Sequence, residues 1–236
     1  MTENLVWFVW SLGLLCVWLA VFAFYRTART RILRASLLTM LFGLSEPIFV
    51  PEYWNPPSLF DLAQKTGFDI ESLLFSFAIG GMGIVIYDLL FKVKHEKMDS
   101  IERHDRHHRF HFWTLVSPYI MFALLYFLTD LNPIYSASLS MFIGGLAALW
   151  CRPDLKMKIW VSGVIFTLFY FVYFFPLVLF FPGFVERVWM LSAISGILIA
   201  GVPLEELMFA FTFGMLWSSY YEHLAWYKIK TKSVHK

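Results

Sequence analysis

The chain has 236 residues, of which 59 % are hydrophobic, 20 % aromatic and only 15 % charged. A water-soluble domain of this length carries more charge and fewer apolar side chains, so the composition excludes an ordinary globular fold and points to lipid. The net charge of +2 says less than the placement of the charges, and two cysteines, Cys16 and Cys151, build neither a disulfide framework nor a CxxC metal site.

About 20 apolar residues cross a bilayer core as a helix. The first such run, 5–25, follows an N-terminus without a basic region, which makes a poor signal peptide and a retained span. Arg26, Arg29, Arg31 and Arg34 lead into a second run, 32–51, which carries Glu46. The third, 68–91, carries Glu71 and ends in a basic loop with Lys92, Lys94, Lys97, Arg103, Arg106 and Arg109. That loop holds His104, His107, His108 and His111. It looks like one histidine box, but membrane di-iron enzymes need about three, so it reads as a solvated cytoplasmic loop. Runs at 113–129 and 133–150 follow, then Arg152, Lys156 and Lys158, then 157–182. The 14 apolar residues 189–202 are short for a span, and 203–225 is the last run before Lys228, Lys230, Lys232 and Lys236.

Seven spans place all but two of the 19 basic residues on one side, which is then cytoplasmic, with the N-terminus outside. An eighth span would move the basic tail outside, so 189–202 is expected to be a re-entrant or interfacial helix. No GxGxxG or phosphate loop occurs, so no flavin or nucleotide cofactor is expected, and with the histidine boxes incomplete no metal is expected either. Basic residues bordering apolar spans give no support for nucleic-acid binding.

The sequence also repeats. Residues from Gly67 to Asp88 align with those from Gly201 to Glu222 at a constant offset of 134, with Gly67/Gly201, Glu71/Glu205, Phe75/Phe209, Phe77/Phe211, Gly80/Gly214 and Tyr87/Tyr221 identical. Apolar bias alone would not align an intramembrane glutamate, two phenylalanines and two glycines. The fold expected is an all-α, polytopic membrane bundle of about seven helices. Two parallel three-helix repeats would be joined by a linking helix, with residues 1–112 as one unit and 113–236 as the other. Such repeats usually bind their ligand where they meet.

A carboxylate inside hydrocarbon is expensive and marks a functional site by default. Glu46, Glu71, Glu205 and Glu206 all fall near the outer ends of spans, where they could converge. Pro203-Leu-Glu205-Glu206 also reads as a helix start, with proline first and acids favoured by the dipole. Against that reading, Glu71 recurs without the proline. A buried neutral acid can give a proton to an apolar substrate. Aromatic faces beside it, Phe75, Phe77, Phe209, Phe211 and Phe213, could stabilise the resulting cation, although each is also an ordinary packing or lipid-facing residue.

Pro203-Leu-Glu-Glu-Leu-Met-Phe209, Arg152-Pro-Asp-Leu155, Phe68-Asp-Ile-Glu71 and Phe181-Pro-Gly-Phe-Val-Glu-Arg-Val-Trp189 together resemble the membrane lycopene cyclase domain family. That family includes the heterodimeric actinobacterial cyclases and the cyclase half of fungal cyclase–phytoene synthase fusions. The chain looks like a fused single-chain form. The resemblance implies a multi-pass protein of the cell membrane that closes rings on the ends of lycopene or a related linear carotenoid. The reaction would be an acid-initiated isomerisation of the β-cyclase type, without redox change. The family's Pro-x-Glu-Glu signature lands on Pro203, Glu205 and Glu206; with the span carboxylates Glu71 and Glu46 these acids are the catalytic candidates, Glu205 first, and Pro203, Phe75, Phe77, Phe209 and Phe213 are expected against the substrate. In the first repeat Asp69 replaces the proline and Ser72 the second acid. Two other readings compete: a non-enzymatic carotenoid-binding scaffold, and a glutamate-type intramembrane protease, whose in-span histidines are missing here. Ring type and oligomeric state, a homo-oligomer included, are not legible.

Overall fold

The computed structural model describes residues 3–230; the basic residues Lys232 and Lys236 lie outside them. Seven long helices form an all-α bundle: α1 (Glu3–Phe24), α2 (Arg29–Met40), α3 (Ile70–Phe91), α4 (His111–Leu128), α5 (Pro133–Cys151), α6 (Lys156–Phe180) and α7 (Leu204–Ala225). A tight 3₁₀ stretch, Leu41–Ser45, and a last turn, Glu46–Phe49, extend α2, and Val50 then leaves in extended conformation. Six helical segments are long and apolar enough to cross a bilayer: Leu5–Phe24, Arg26–Phe49, Ile70–Phe91, Arg106–Leu128, Pro133–Cys151 and Pro153–Phe180.

Helix α7 has the length but not the apolarity, because it carries Glu205, Glu206, Glu222 and His223, all buried. Its position explains this composition. It packs on α6, α5, α3 and α4, so its polar groups meet protein rather than lipid. Helix α3 mirrors it, packing on α2, α1 and α7. Small residues allow the close approaches. A Cβ on Gly80 would stand 1.6 Å from Thr39 Oγ1, and one on Gly214 would stand 2.5 Å from Phe166 Cβ.

Positions 134 apart share local conformation. Gly67 and Gly201 both adopt positive φ, and α3 and α7 end on left-handed Lys92 and Trp226. Beyond those ends two short strands, β1 (His95–Lys97) and β4 (Tyr227–Ile229), pair antiparallel. Asp88 and Glu222 meet here in a buried ion network. Lys158 Nζ donates to Asp88 Oδ1 at 3.0 Å and to Glu222 Oε1 at 2.5 Å. Arg31 lies 2.7 Å from Asp88 and His95 Nε2 2.7 Å from Glu222. Lys158 and Arg31 therefore do not sit in solvated loops; they neutralise two buried acids.

At the opposite end the 50–69 and 181–203 loops are stitched together. Trp54 and Trp189 form a β-bridge, Asn55 N donates to Val188 O, and Met190 N donates to Tyr53 O. Residues 189–202 are not the expected helix. They form a 3₁₀ turn, Leu191–Ala193, and a hairpin of β2 (Leu198–Ile199) with β3 (Val202–Pro203). Left-handed Ala200 and Gly201 turn that hairpin, a conformation that stops a helix from forming.

Candidate active site

The stitched end encloses a cavity of about 410 Å³, within the range of small-ligand sites. Its walls come from both halves of the chain: Trp7, Glu46, Phe49, Tyr53, Trp54, Ser72 and Phe75 on one side, Ile134, Tyr170, Trp189, Glu206, Phe209 and Phe213 on the other. All four acids singled out in the sequence lie at this end, but they divide into two pairs.

Glu71 and Glu205 face the loops, and neither is among the cavity-lining residues. Glu71 Oε1 accepts the Leu59 N–H at 2.8 Å. Glu205 Oε1 accepts the Ser195 N–H at 2.9 Å and the Tyr135 hydroxyl at 2.6 Å. Each thus holds the loop that precedes its own helix. Glu46 and Glu206 do line the cavity. Glu206 sits about 100° around α7 from Glu205, which is why adjacent acids reach different partners.

Glu206 is 6 % exposed and takes three donors. Tyr53 Oη donates to Oε1 at 2.6 Å and Trp189 Nε1 to Oε1 at 2.8 Å, while Tyr170 Oη donates to Oε2 at 2.6 Å. Burial, with the Glu206 carboxylate close by, holds the Tyr53 hydroxyl well above the ordinary tyrosine range, so it remains a donor. Glu46, at the end of the α2 extension, has the reverse environment. It is 4 % exposed and lies against Ser72 and Asp69, yet neither of its oxygens completes a hydrogen bond. Asp69 caps α3 by accepting the Ser72 N–H. Burial pushes its carboxyl up from the ordinary range, against that hydrogen bond.

Of the five phenylalanines singled out in the sequence, Phe75, Phe209 and Phe213 reach the cavity wall. Phe75 lies 5.7 Å from Trp7 and 6.1 Å from Tyr170, ring centre to ring centre. Phe77 turns to Trp18 instead, at 4.8 Å, and Phe211 to Trp160. Pro203 is buried in the β2–β3 hairpin, away from the wall, and sets the start of α7. Tyr53, Tyr170 and Trp189 were missed as site residues. Tyr170 is concealed in the Phe-rich run of α6 and Tyr53 in a connection, while Trp189 closes a motif already quoted.

Residues 132–224 match the family model described as lycopene cyclase. This segment belongs to the lycopene cyclase family. It covers α5, α6 and α7 and so supplies Tyr135, Tyr170, Trp189, Glu205 and Glu206. Glu46, Glu71 and Tyr53 come from outside it. Carotenoid cyclisation is accordingly the class of activity that the lycopene cyclase segment suggests. No curated protein and no solved structure matches the chain.

Proposed function

We propose that this protein is a carotenoid cyclase of the cell membrane that closes a six-membered ring on the end of lycopene or a similar linear carotenoid. One observation carries the reading: two carboxyl groups in opposite settings face one aromatic cavity. Glu46 has only the Ser72 hydroxyl and the Asp69 carboxyl beside it and completes no hydrogen bond, which suits an acid that keeps a proton to give. Glu206 has three donors aimed at it, which suits an anion. Pairs of titratable groups with divergent environments mark acid and base roles.

In this mechanism Glu46 adds a proton to the terminal double bond of the substrate, leaving a tertiary cation. The neighbouring double bond supplies its electron pair, a C–C bond closes the ring, and the positive charge moves onto the ring. Phe75, Phe209, Phe213 and the Tyr170 ring face that charge across the cavity. A ring proton then leaves to the Glu206 carboxylate, and its bonding pair restores the double bond. Return of the proton from Glu206 to Glu46 resets the site, and substrate and product are isomers. Glu205 and Glu71 act as positioning residues, fixing the loops that hold Tyr53 and Trp189.

This assignment ranks Glu206 and Glu46 above Glu205 and Glu71, the reverse of the order read from the repeat. The shared cavity also favours residues 1–112 and 113–236 as two related units whose junction is the site. Expression in lycopene-accumulating cells, followed by pigment analysis, tests the reading. Cyclic carotenoid from the parent and lycopene alone from Glu46→Gln are expected. Unchanged lycopene with the parent chain, present at full abundance, would refute it.

A further inference from the structure

Far from the cavity, the histidines of the basic loop have a partner that the sequence does not reveal. His108 lies in the 3₁₀ turn Arg106–Phe110 that leads into α4, His111 is the first residue of α4, and Cys151 is the fully buried last residue of α5. His108 Nδ1 lies 3.5 Å and His111 Nδ1 3.4 Å from Cys151 Sγ. One ligand atom from each falls within 4.8 Å of the others.

Hydrogen bonding restricts the protonation of this cluster. His111 Nε2 lies 3.0 Å from the His223 carbonyl oxygen, which can only accept, so Nε2 carries a proton. In the neutral ring Nδ1 then presents a lone pair to the sulfur. A thiol has one proton, so hydrogen bonds to both rings require His108 to carry its proton on Nδ1 and donate it to the sulfur, whereas a metal ion takes a lone pair from each ring. A tetrahedral zinc with Zn–S near 2.3 Å and Zn–N near 2.0–2.1 Å sets sulfur and nitrogen about 3.5 Å apart, which is the spacing found. The surroundings also match those of a metal site. Ligating histidines usually donate their second N–H to a carbonyl, which fixes the ring. Trp226 stacks on His111 at 4.0 Å and stands edge-on to His108 at 5.3 Å, which restrains both rings. The nearby charge of Arg152 is taken up by Asp154 through two hydrogen bonds, at 2.8 and 2.7 Å.

We propose that His108, His111 and Cys151 bind one zinc-class transition-metal ion, with a fourth position left open. The ion pins the histidine-rich turn to the end of α5. A thiolate with two imidazoles suits zinc or cobalt, whereas the di-iron enzymes brought to mind by the histidines use no such set. Asp88, His95 and Glu222 form a second cluster of comparable span, but Lys158 and Arg31 already neutralise its acids.

The test uses the full chain purified in detergent, in a Cys16→Ala background that leaves Cys151 as its one thiol. Chelator-stripped protein is loaded with Zn²⁺ or Co²⁺ and desalted. About one ion per chain is expected, with a thiolate-to-cobalt charge-transfer band in the near ultraviolet. His111→Gln and Cys151→Ser should bring metal content down to background, while His104→Gln, at an exposed ring, should leave it unchanged. The cobalt band needs no further variant, so it decides the matter even if a ligand variant fails to fold. Absence of the band and of bound zinc in the parent would overturn the proposal, leaving a metal-free thiol–imidazole cluster. Metal retained by Cys151→Ser would overturn it equally.

Discussion

Replacing Glu206 by glutamine removes the charge and the basic oxygen while keeping the shape. The structure shows why the variant should fold. The amide oxygen can occupy the position of Oε1, which accepts from Tyr53 and Trp189, and the amide nitrogen can occupy that of Oε2. There it donates to the Tyr170 hydroxyl oxygen, which can turn to accept. On the proposed mechanism, what is lost is the group that takes the ring proton. General acid–base catalysis contributes about 10²–10⁴-fold, which at about 1.36 kcal/mol per decade is roughly 2.7–5.4 kcal/mol of barrier. Glu205→Gln is the matched control. Both of its donors, Ser195 N and Tyr135 Oη, go to the one oxygen Oε1, which an amide oxygen can replace. Its effect should be about 1 kcal/mol on stability and small on turnover. The assay follows cyclic carotenoid formed from lycopene by purified protein in detergent–lipid micelles, with abundance matched. A Glu206→Gln variant that cyclises at the parental rate would refute the reasoning. So would a Glu205→Gln variant that loses as much activity as Glu206→Gln.

Glu46→Gln should also lower turnover by about 10²–10⁴-fold; because the carboxyl forms no hydrogen bond, thermal unfolding in detergent should change little or rise. Lys158→Met removes the cation that Asp88 and Glu222 share, leaving Arg31 to balance both, and should destabilise by up to about 3 kcal/mol, measured as a lower unfolding midpoint. Gly214→Ala drives a Cβ to 2.7 Å from the Ser162 carbonyl as well as into Phe166; a loss of about 1–3 kcal/mol is expected, visible as lower yield and midpoint with the residual protein still active.

The membrane bundle was legible because bilayer thickness acts on the sequence as a length filter, and the seven long helices fall where the apolar runs do. The polar stretches were harder to read. Helix α7 looks marginal as a span because it packs in the middle of the bundle, information carried by neighbours rather than by its own residues. The apolar character of 189–202 suggests a helix, whereas Gly201, one half of a repeated pair, ends any helix there by adopting positive φ. Lys158 reads as a loop cation because the order of charges along a chain does not distinguish a helix end that reaches water from one that reaches Asp88 and Glu222.

The site divides along the same line. That carboxylates matter follows from the cost of placing them in lipid, and that cost applies equally to Glu46, Glu71, Glu205 and Glu206. Which of them react depends on where their partners lie, and the partners are distant in the chain. Tyr53 reaches Glu206 across 153 residues and Tyr170 across 36. The repeat drew attention to Glu71 and Glu205 because identity at equivalent positions is the visible signal. In the structure that identity coincides with a shared mechanical task, in which each carboxylate grips a backbone N–H of the loop before its helix. A task needed twice keeps the same residue in both halves, whereas a cavity that both halves enclose needs each reacting group once. Positions 72 and 206 are equivalent by offset and both line the cavity, yet one is serine and the other glutamate, with Glu46 lying against the serine. The proposed mechanism uses this asymmetry, which gives the acid and the base separate settings, one beside a serine and one beneath three donors.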